Sequence, residues 1–162
     1  CDGPAGCLGR GAEFQVTGDQ ERTIPAEVGY ARHPRKSLEA HDIVTSIRIT
    51  KPVGRTSGAF AKVSKTAFDY AALSVTAVCW FSGDQVRDCA VTLGAIRPLP
   101  IRVRQAEEEI VDRAPTREDV VRAAARASGA FGASQDYRYS KEYRGQLIKV
   151  FVKRCLLEAL GL

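Results

Sequence analysis

Few residues in this chain have types and spacing that could do chemistry. The two histidines, His33 and His41, fall in a region read as without regular structure. Neither has the surroundings in which a base activates a serine or cysteine and is itself oriented by a third group, so both read as ordinary surface residues. Cysteines stand at positions 1, 7, 79, 89 and 155. A structural zinc site usually draws on two close Cys or Cys/His pairs. Only Cys1 and Cys7 are near one another, so no metal site is expected. Glu107, Glu108 and Glu109 form a run of acids that reads as the solvated face of a short helix, not a catalytic pair. Lys62 stands beside Phe60 on a strand, where a lysine by itself reads as solvent-facing. The opening Cys1 to Gly11, CDGPAGCLGRG, is glycine-rich. A phosphate-cradling loop needs a strand before it and a helix N-terminus after it, and neither is read here, so a flexible lead-in is expected. The residues taken singly therefore give no catalytic centre.

The elements that must position these groups are centred on Phe68 to Arg104. Leu73, Val75, Ala77, Cys79 and Phe81 alternate with Ser74, Thr76, Val78 and Trp80, and after Ser82-Gly83-Asp84 the alternation resumes with Cys89, Val91, Leu93 and Ala95. This is the period-two signature of a hairpin with one buried face. Because a one-residue slip turns every side chain over, the apolar faces coincide only if Val75 faces Leu93, Ala77 faces Val91 and Cys79 faces Cys89. That register predicts a three-residue loop Gly83-Asp84-Gln85, with Ser82 opposite Val86. The facing cysteines read as two buried thiols, not as a disulfide.

Before the hairpin, Phe14 to Thr17 and Arg22 to Pro25 predict a small hairpin about Gly18-Asp19-Gln20, and Val28 to Leu38 is irregular. Asp42 to Thr50 predicts a strand with Ile43, Thr45, Ile47 and Ile49 on one face and Val44, Ser46 and Arg48 on the other. Gly58 to Lys65 is a further extended piece with Phe60, Lys62 and Ser64 sharing a face. After it, Pro98 and Pro100 should stop the sheet. Arg104 to Val111 reads as a short helix. Thr116 with Asp119 caps a second, ended by Gly129, with Val120, Val121, Ala124 and Ala127 as its apolar side. Ser140 starts a third running to Gly161, with Tyr143, Leu147, Val150, Phe151, Arg154, Cys155 and Leu157 at helical spacing. Strands first and helices afterwards predict an α+β fold, an antiparallel sheet covered on one face by a three-helix layer.

The composition is that of a globular domain, with 44% hydrophobic and 27% charged residues. No apolar run is long enough to span a bilayer and no signal-peptide pattern opens the chain, so a cytoplasmic protein is expected. The chain has no Met and begins at Cys1, which reads as a fragment or processed piece. The net charge of +5 is spread among 19 acidic residues, which favours a solvated or partner-facing surface over nucleic acid.

An ordered set of motifs carries a resemblance. Phe60-Ala61-Lys62 followed by Asp69-Tyr70-Ala71; Leu93-Gly94 ahead of Pro100, Arg102, Ala106-Glu107 and Ile110; and Asp136, Arg138, Ser140, Glu142-Tyr143-Arg144, with Arg154 and Ala159 beyond, resemble the C-terminal domain of the FAD-binding medium subunits of the xanthine dehydrogenase and carbon monoxide dehydrogenase family of molybdenum hydroxylases. Leu38 to Ile49 is similar to the end of the preceding FAD-binding domain. The resemblance implies two parts, residues 1–65 as a C-terminal remnant of the FAD-binding domain and 66–162 as a CO dehydrogenase flavoprotein C-terminal-like domain. It implies a share in an FAD site, with Val44 against the isoalloxazine and Lys62 near the ring. Electrons would come from [2Fe-2S] clusters and molybdopterin on partner subunits and pass to an acceptor. Three departures stand out: Thr66 where the family usually has Arg, Thr50 in place of a Pro, and the family's glycine-rich pyrophosphate loops lying upstream of anything in this chain. FAD would thus be shared with a missing N-terminal half, and the piece alone is expected to be inactive. A reading from another class is a non-catalytic module that docks on the iron-sulfur or molybdopterin subunit without flavin. No nucleic-acid binding or membrane insertion is expected.

Overall fold

The computed structural model describes residues 4–32, 37–66, 68–130 and 139–162. Its strands are β1 (Glu13–Thr17), β2 (Glu21–Pro25), β3 (Ile43–Arg48), β4 (Thr56–Val63), β5 (Leu73–Ser82), β6 (Gln85–Gly94) and β7 (Ile101–Arg102). Its helices are α1 (Pro4–Gly9), α2 (Ala26–Gly29), α3 (Arg104–Glu107), α4 (Arg117–Ala130) and α5 (Lys141–Leu160). The strands form two antiparallel sheets, β2-β1-β3 and β4-β5-β6-β7. The expected small hairpin is β1 with β2, Thr17 opposite Glu21 across Gly18-Asp19-Gln20. The main core lies between the inward side chains of β5 and β6 and the layer formed by α3, α4 and α5. This is the α+β architecture expected from the order of the elements.

The central hairpin has the expected inner register, Val75 opposite Leu93, Ala77 opposite Val91 and Cys79 opposite Cys89. Val75, Val91 and Leu93 are fully buried. At about 1.5–3 kcal/mol for each buried Val or Leu, turning these three outward by a slip would cost an amount comparable to a domain's whole margin of about 5–15 kcal/mol. The turn differs from the expected three-residue loop. Ser82 pairs with Gln85 across Gly83-Asp84, and Phe81 with Val86, while Trp80 still pairs with Asp88. The extra residue, Arg87, is absorbed as a bulge. A two-residue loop and an unslipped core are therefore compatible, because a bulge changes register locally. Gly83 has φ 61° and occupies the first central position, where a type II′ turn needs positive φ.

Cys79 and Cys89 are free thiols with Sγ atoms 3.7 Å apart. The Cys79 thiol beside it and then burial push Cys89 up, and burial, reinforced by Glu158, raises Cys155 to about 11. Cys79, Cys89 and Cys155 are all buried, and a reagent must reach a thiolate to react, so alkylation of native protein at mildly alkaline pH should leave the three unmodified. Denaturant should expose all three, and mass spectrometry of the two samples checks this.

The opening segment is not the flexible lead-in expected. α1 packs on the face of the second sheet away from the helical layer, where the Thr92 hydroxyl donates to the Ala5 carbonyl at 2.7 Å, and Ala5 and Leu8 are buried. Six residues are too few to register a helical period, so the segment carried no readable signal. The sheet also does not stop at Pro98 and Pro100. β7 follows at once and pairs Leu93 with Ile101 and Thr92 with Arg102. Both prolines precede β7, so it loses no donor.

Beyond β7 the edge is finished by side chains, and here the run of acids proves to be other than a solvated face. Glu107 is only 5% exposed. Its Oε1 accepts from the Val91 backbone N–H at 2.9 Å and from Arg102 Nε at 2.8 Å. Arg102 Nη2 donates to the Cys89 carbonyl at 3.0 Å, and Val103 N–H donates to the Val91 carbonyl at 2.8 Å. A carboxylate and a guanidinium thus take the places that a further strand would fill, which satisfies groups that are costly to bury unpaired.

α4 is capped as expected: Asp119 Oδ2 accepts from the Thr116 N–H and hydroxyl at 2.7 and 2.8 Å, and Asp119 N–H donates to Thr116 Oγ1 at 3.3 Å. Gly129 lies within α4 and does not end it, and Val121 is exposed while Ala123 is buried. Ser140 caps α5 by accepting from Tyr143 N–H at 3.2 Å, and Gly161 closes it at φ 73°. The buried stripe of α5 is Arg144, Ile148, Val152, Cys155, Leu156, Ala159 and Leu160; of the expected residues Cys155 belongs to it, Leu147, Phe151 and Leu157 pack at its margin, and Tyr143, Val150 and Arg154 are exposed. Cys1, His33, Pro34, Asp136 and Arg138 lie outside the described residues.

Candidate functional site

Among the described residues, two surfaces hold the positions singled out for a cofactor. The first is a hollow on the three-stranded sheet. Phe14 on β1 stands opposite Ile24 of β2 and Ile47 of β3. Simple alternation puts Val44 and Ile47 on opposite faces. In the structure Gln15 pairs with Ser46 and Val16 with Val44, so Thr45 is an extra, bulged residue, its hydroxyl donating to the Gln15 carbonyl at 3.2 Å. The bulge brings Val44 round to join Ile47. Phe14, Ile24, Gly29, Tyr30, Ser37, Leu38, Val44 and Ile47 then enclose about 250 Å³. Gly29 is required by close approach: a Cβ there would come within 2.9 Å of Phe14 Cε2. Phe14 and Tyr30 meet edge to face at 5.3 Å.

Among the described residues, the lining carries no charged side chain. Burial, and then Cys7, pushes the Tyr30 phenol up to about 12, so it is neutral at physiological pH and able to donate a hydrogen bond. The Ser37 hydroxyl is engaged with the Gly29 carbonyl at 3.1 Å. Such a lining suits the flat apolar part of a ligand. Its volume falls below the roughly 300–1,000 Å³ of pockets that take whole ligands, so a dinucleotide would need further walls. Val44 is 41% exposed, open to whatever covers it.

The second surface is the face of β4 and β5 turned away from the layer of α3, α4 and α5, the face that α1 partly covers. Lys62 lies there opposite Ser74, and Phe60 opposite Thr76; Phe60 is 50% exposed. Thr56 Oγ1 and Thr76 Oγ1, on the same face, are buried without a hydrogen-bond partner. Arg10, Thr50, Pro52, Thr56, Val78 and Trp80 line a smaller hollow of about 180 Å³ further along. Val44 therefore belongs to the first sheet and Lys62 to the second. Phe14 and Tyr30 were missed as site residues, although the alternation of Phe14 and Val16 opposite Ile24 marks the face. The orphaned threonine hydroxyls leave no trace in a sequence.

His41 is exposed. No group of three His, Cys, Asp or Glu among the described residues could hold a metal ion. Also among them, no helix is long and apolar enough to cross a membrane.

Comparison with known proteins agrees with the fold. Residues 58–159 match the family described as CO dehydrogenase flavoprotein C-terminal domain. The medium chain of carbon monoxide dehydrogenase from Hydrogenophaga pseudoflava is 26% identical over 156 residues, covering 96% of this chain and 54% of that protein. The corresponding medium chain from Afipia carboxidovorans is 25% identical over 154 residues, covering 94% and 53%. A solved structure of the Hydrogenophaga enzyme, in a form lacking the Mo-pyranopterin moiety of its molybdenum cofactor, superposes with a TM-score of 0.89 at 26% identity, over 98% of this chain and 55% of that one. Quinoline 2-oxidoreductase from Pseudomonas putida shares the fold, with a TM-score of 0.85 at 21% identity over 98% of this chain and 55% of that one. The chain spans about half the length of the curated relatives it matches.

Proposed function

The chain belongs to the CO dehydrogenase flavoprotein C-terminal domain family, and from that premise we propose that it is the C-terminal part of the flavoprotein subunit of a molybdenum hydroxylase. In this reading it helps to hold FAD together with an N-terminal half, and electrons reach the flavin from [2Fe-2S] clusters on one partner subunit, fed by a molybdopterin subunit. The single observation that carries the reading is the family match over residues 58–159. One feature of the surface supports a flavin in particular: the lining of the hollow around Val44, which among the described residues carries no charge.

FAD, when bound, supplies reversible two-electron chemistry, and the chain's own residues bind and bias it. Val44, Ile47 and Phe14 offer apolar contact that excludes water from a ring edge. Lys62 supplies positive charge where negative charge develops on reduction. The proposed division is residues 1–65 with the FAD-binding part and 66–162 as the C-terminal domain. β4, on the first side of that line, is hydrogen-bonded to β5 and ties the two parts together. We also assign the protein to the cytoplasm.

A charged group at the hollow tests the reading. In the chain joined to its upstream half, Val44→Asp should lower flavin retention on gel filtration by roughly 10–100-fold, since a carboxylate facing an apolar ring is buried unpaired. Val44→Leu should retain it. Equal flavin content in Val44→Asp and wild type would remove Val44 from the site.

A further inference from the structure

The last helix carries apolar residues on two sides, one turned to the core and one that meets only its margin, where Leu147, Phe151 and Leu157 pack while partly exposed. Ile148, Val152, Leu156 and Ala159 face the core. The other stripe, Tyr143, Leu147, Val150, Arg154 and Leu157, recurs at alternating four- and three-residue steps, the spacing with which one helix packs along another. Leu147 and Leu157 are half-buried, while Tyr143 is 50% and Val150 42% exposed. The ridge is flanked by the exposed Lys149 and Lys153, and the Arg154 guanidinium lies 5.1 Å over the Phe151 ring.

The charges on this face differ from those on α4. There, Arg122 pairs with Asp119 and with Glu109 at 3.1 Å, Arg126 pairs with Glu109 at 3.3 Å, and Arg113 with Asp119 at 3.8 Å. Those arginines are neutralised within the chain. Among the described residues, Lys149, Lys153 and Arg154 have no carboxylate at ion-pair distance. We propose that this face of α5 docks an amphipathic helix of a partner subunit, one whose apolar seam covers Val150 and Leu157 and whose flanking residues are acidic. A second copy of the chain does not fit, because the same cations would face one another. Nucleic acid does not fit either, because a phosphate backbone leaves the apolar ridge uncovered. The inference rests on the reading of the chain as part of a multi-subunit enzyme.

The experiment uses the chain joined to its upstream half and co-expressed with the iron-sulfur and molybdopterin subunits. Carbodiimide coupling of amines to carboxylates, read by mass spectrometry, should join Lys149 or Lys153 to acids on a partner helix. Val150→Glu and the double change Lys149→Glu/Lys153→Glu should each weaken assembly by roughly tenfold or more while leaving circular dichroism and flavin content of the free subunit unchanged. Glu118→Lys on the exposed side of α4 should have no effect. Complexes that form equally well with all variants, or cross-links that join two copies of this chain, would overturn the docking face alone. Failure of the wild-type subunits to assemble would overturn the subunit reading, and the docking face with it.

Discussion

Glu107→Ala should destabilise the protein by about 3–5 kcal/mol, the range for breaking a buried ion pair from one side. The change removes the acceptor for the Val91 N–H and for Arg102 Nε, at 2.9 and 2.8 Å. What remains is an amide with no strand beside it and a guanidinium held by the Cys89 carbonyl. An orphaned buried amide by itself costs about 1–3 kcal/mol. Glu107→Gln keeps the acceptor for Val91 but sets an amide against Arg102, and should lose about half as much. Glu108→Ala, one residue on and exposed, should change stability by no more than about 0.5 kcal/mol. Urea unfolding followed by circular dichroism separates the three. Equal midpoints for Glu107→Ala and Glu108→Ala would show that the carboxylate does not close the sheet edge.

The second large effect concerns Lys62. Its position on β4 is set by the ladder, with Ala59 buried toward the core, Ala61 and Val63 packed against it, and Phe60 and Lys62 on the other face. If a flavin lies on that face, the ammonium favours the reduced, more negative ring, and removing such a preorganised donor typically costs on the order of 10²-fold in rate. Lys62→Ala in the chain joined to its upstream half should slow reductive loss of flavin absorbance by about that factor and lower the flavin midpoint potential. Lys62→Arg should restore most of both. Unchanged potential and rate in Lys62→Ala would exclude its role, whereas lost flavin with an unchanged potential would make it a binding residue only.

How much of this was readable in the sequence depends on the length scale of each feature. The hairpin register was legible because ten-residue strands repeat the same alternation until only one alignment buries Val75 with Leu93. The caps at Thr116 and Ser140 were legible because capping is local chemistry. The two bulges were not. Each shifts the pattern by a single residue, at Arg87 and at Thr45, and alternation assumes that no such shift occurs. The second matters for the site, since it alone brings Val44 round to Ile47. Glu107 was misread because a run of acids carries no sign that one of them has a backbone amide to satisfy. The inward face of α5 was legible in part: Cys155 is buried and Leu147, Phe151 and Leu157 pack against the core as expected, but Ile148, Val152 and Leu156 fill its centre while Tyr143 and Val150 are exposed, because apolar residues on two sides of a helix do not say which side lies deepest.

On the proposed reading this chain forms part of a flavin site completed from upstream, and flavin content tests that most directly. The chain joined to an upstream half bearing glycine-rich loops should purify with close to one FAD per polypeptide, show visible flavin absorbance, and lose that flavin on Val44→Asp. A folded, assembled protein that carries no flavin when supplied with excess FAD would contradict the claim and leave the chain as a docking module.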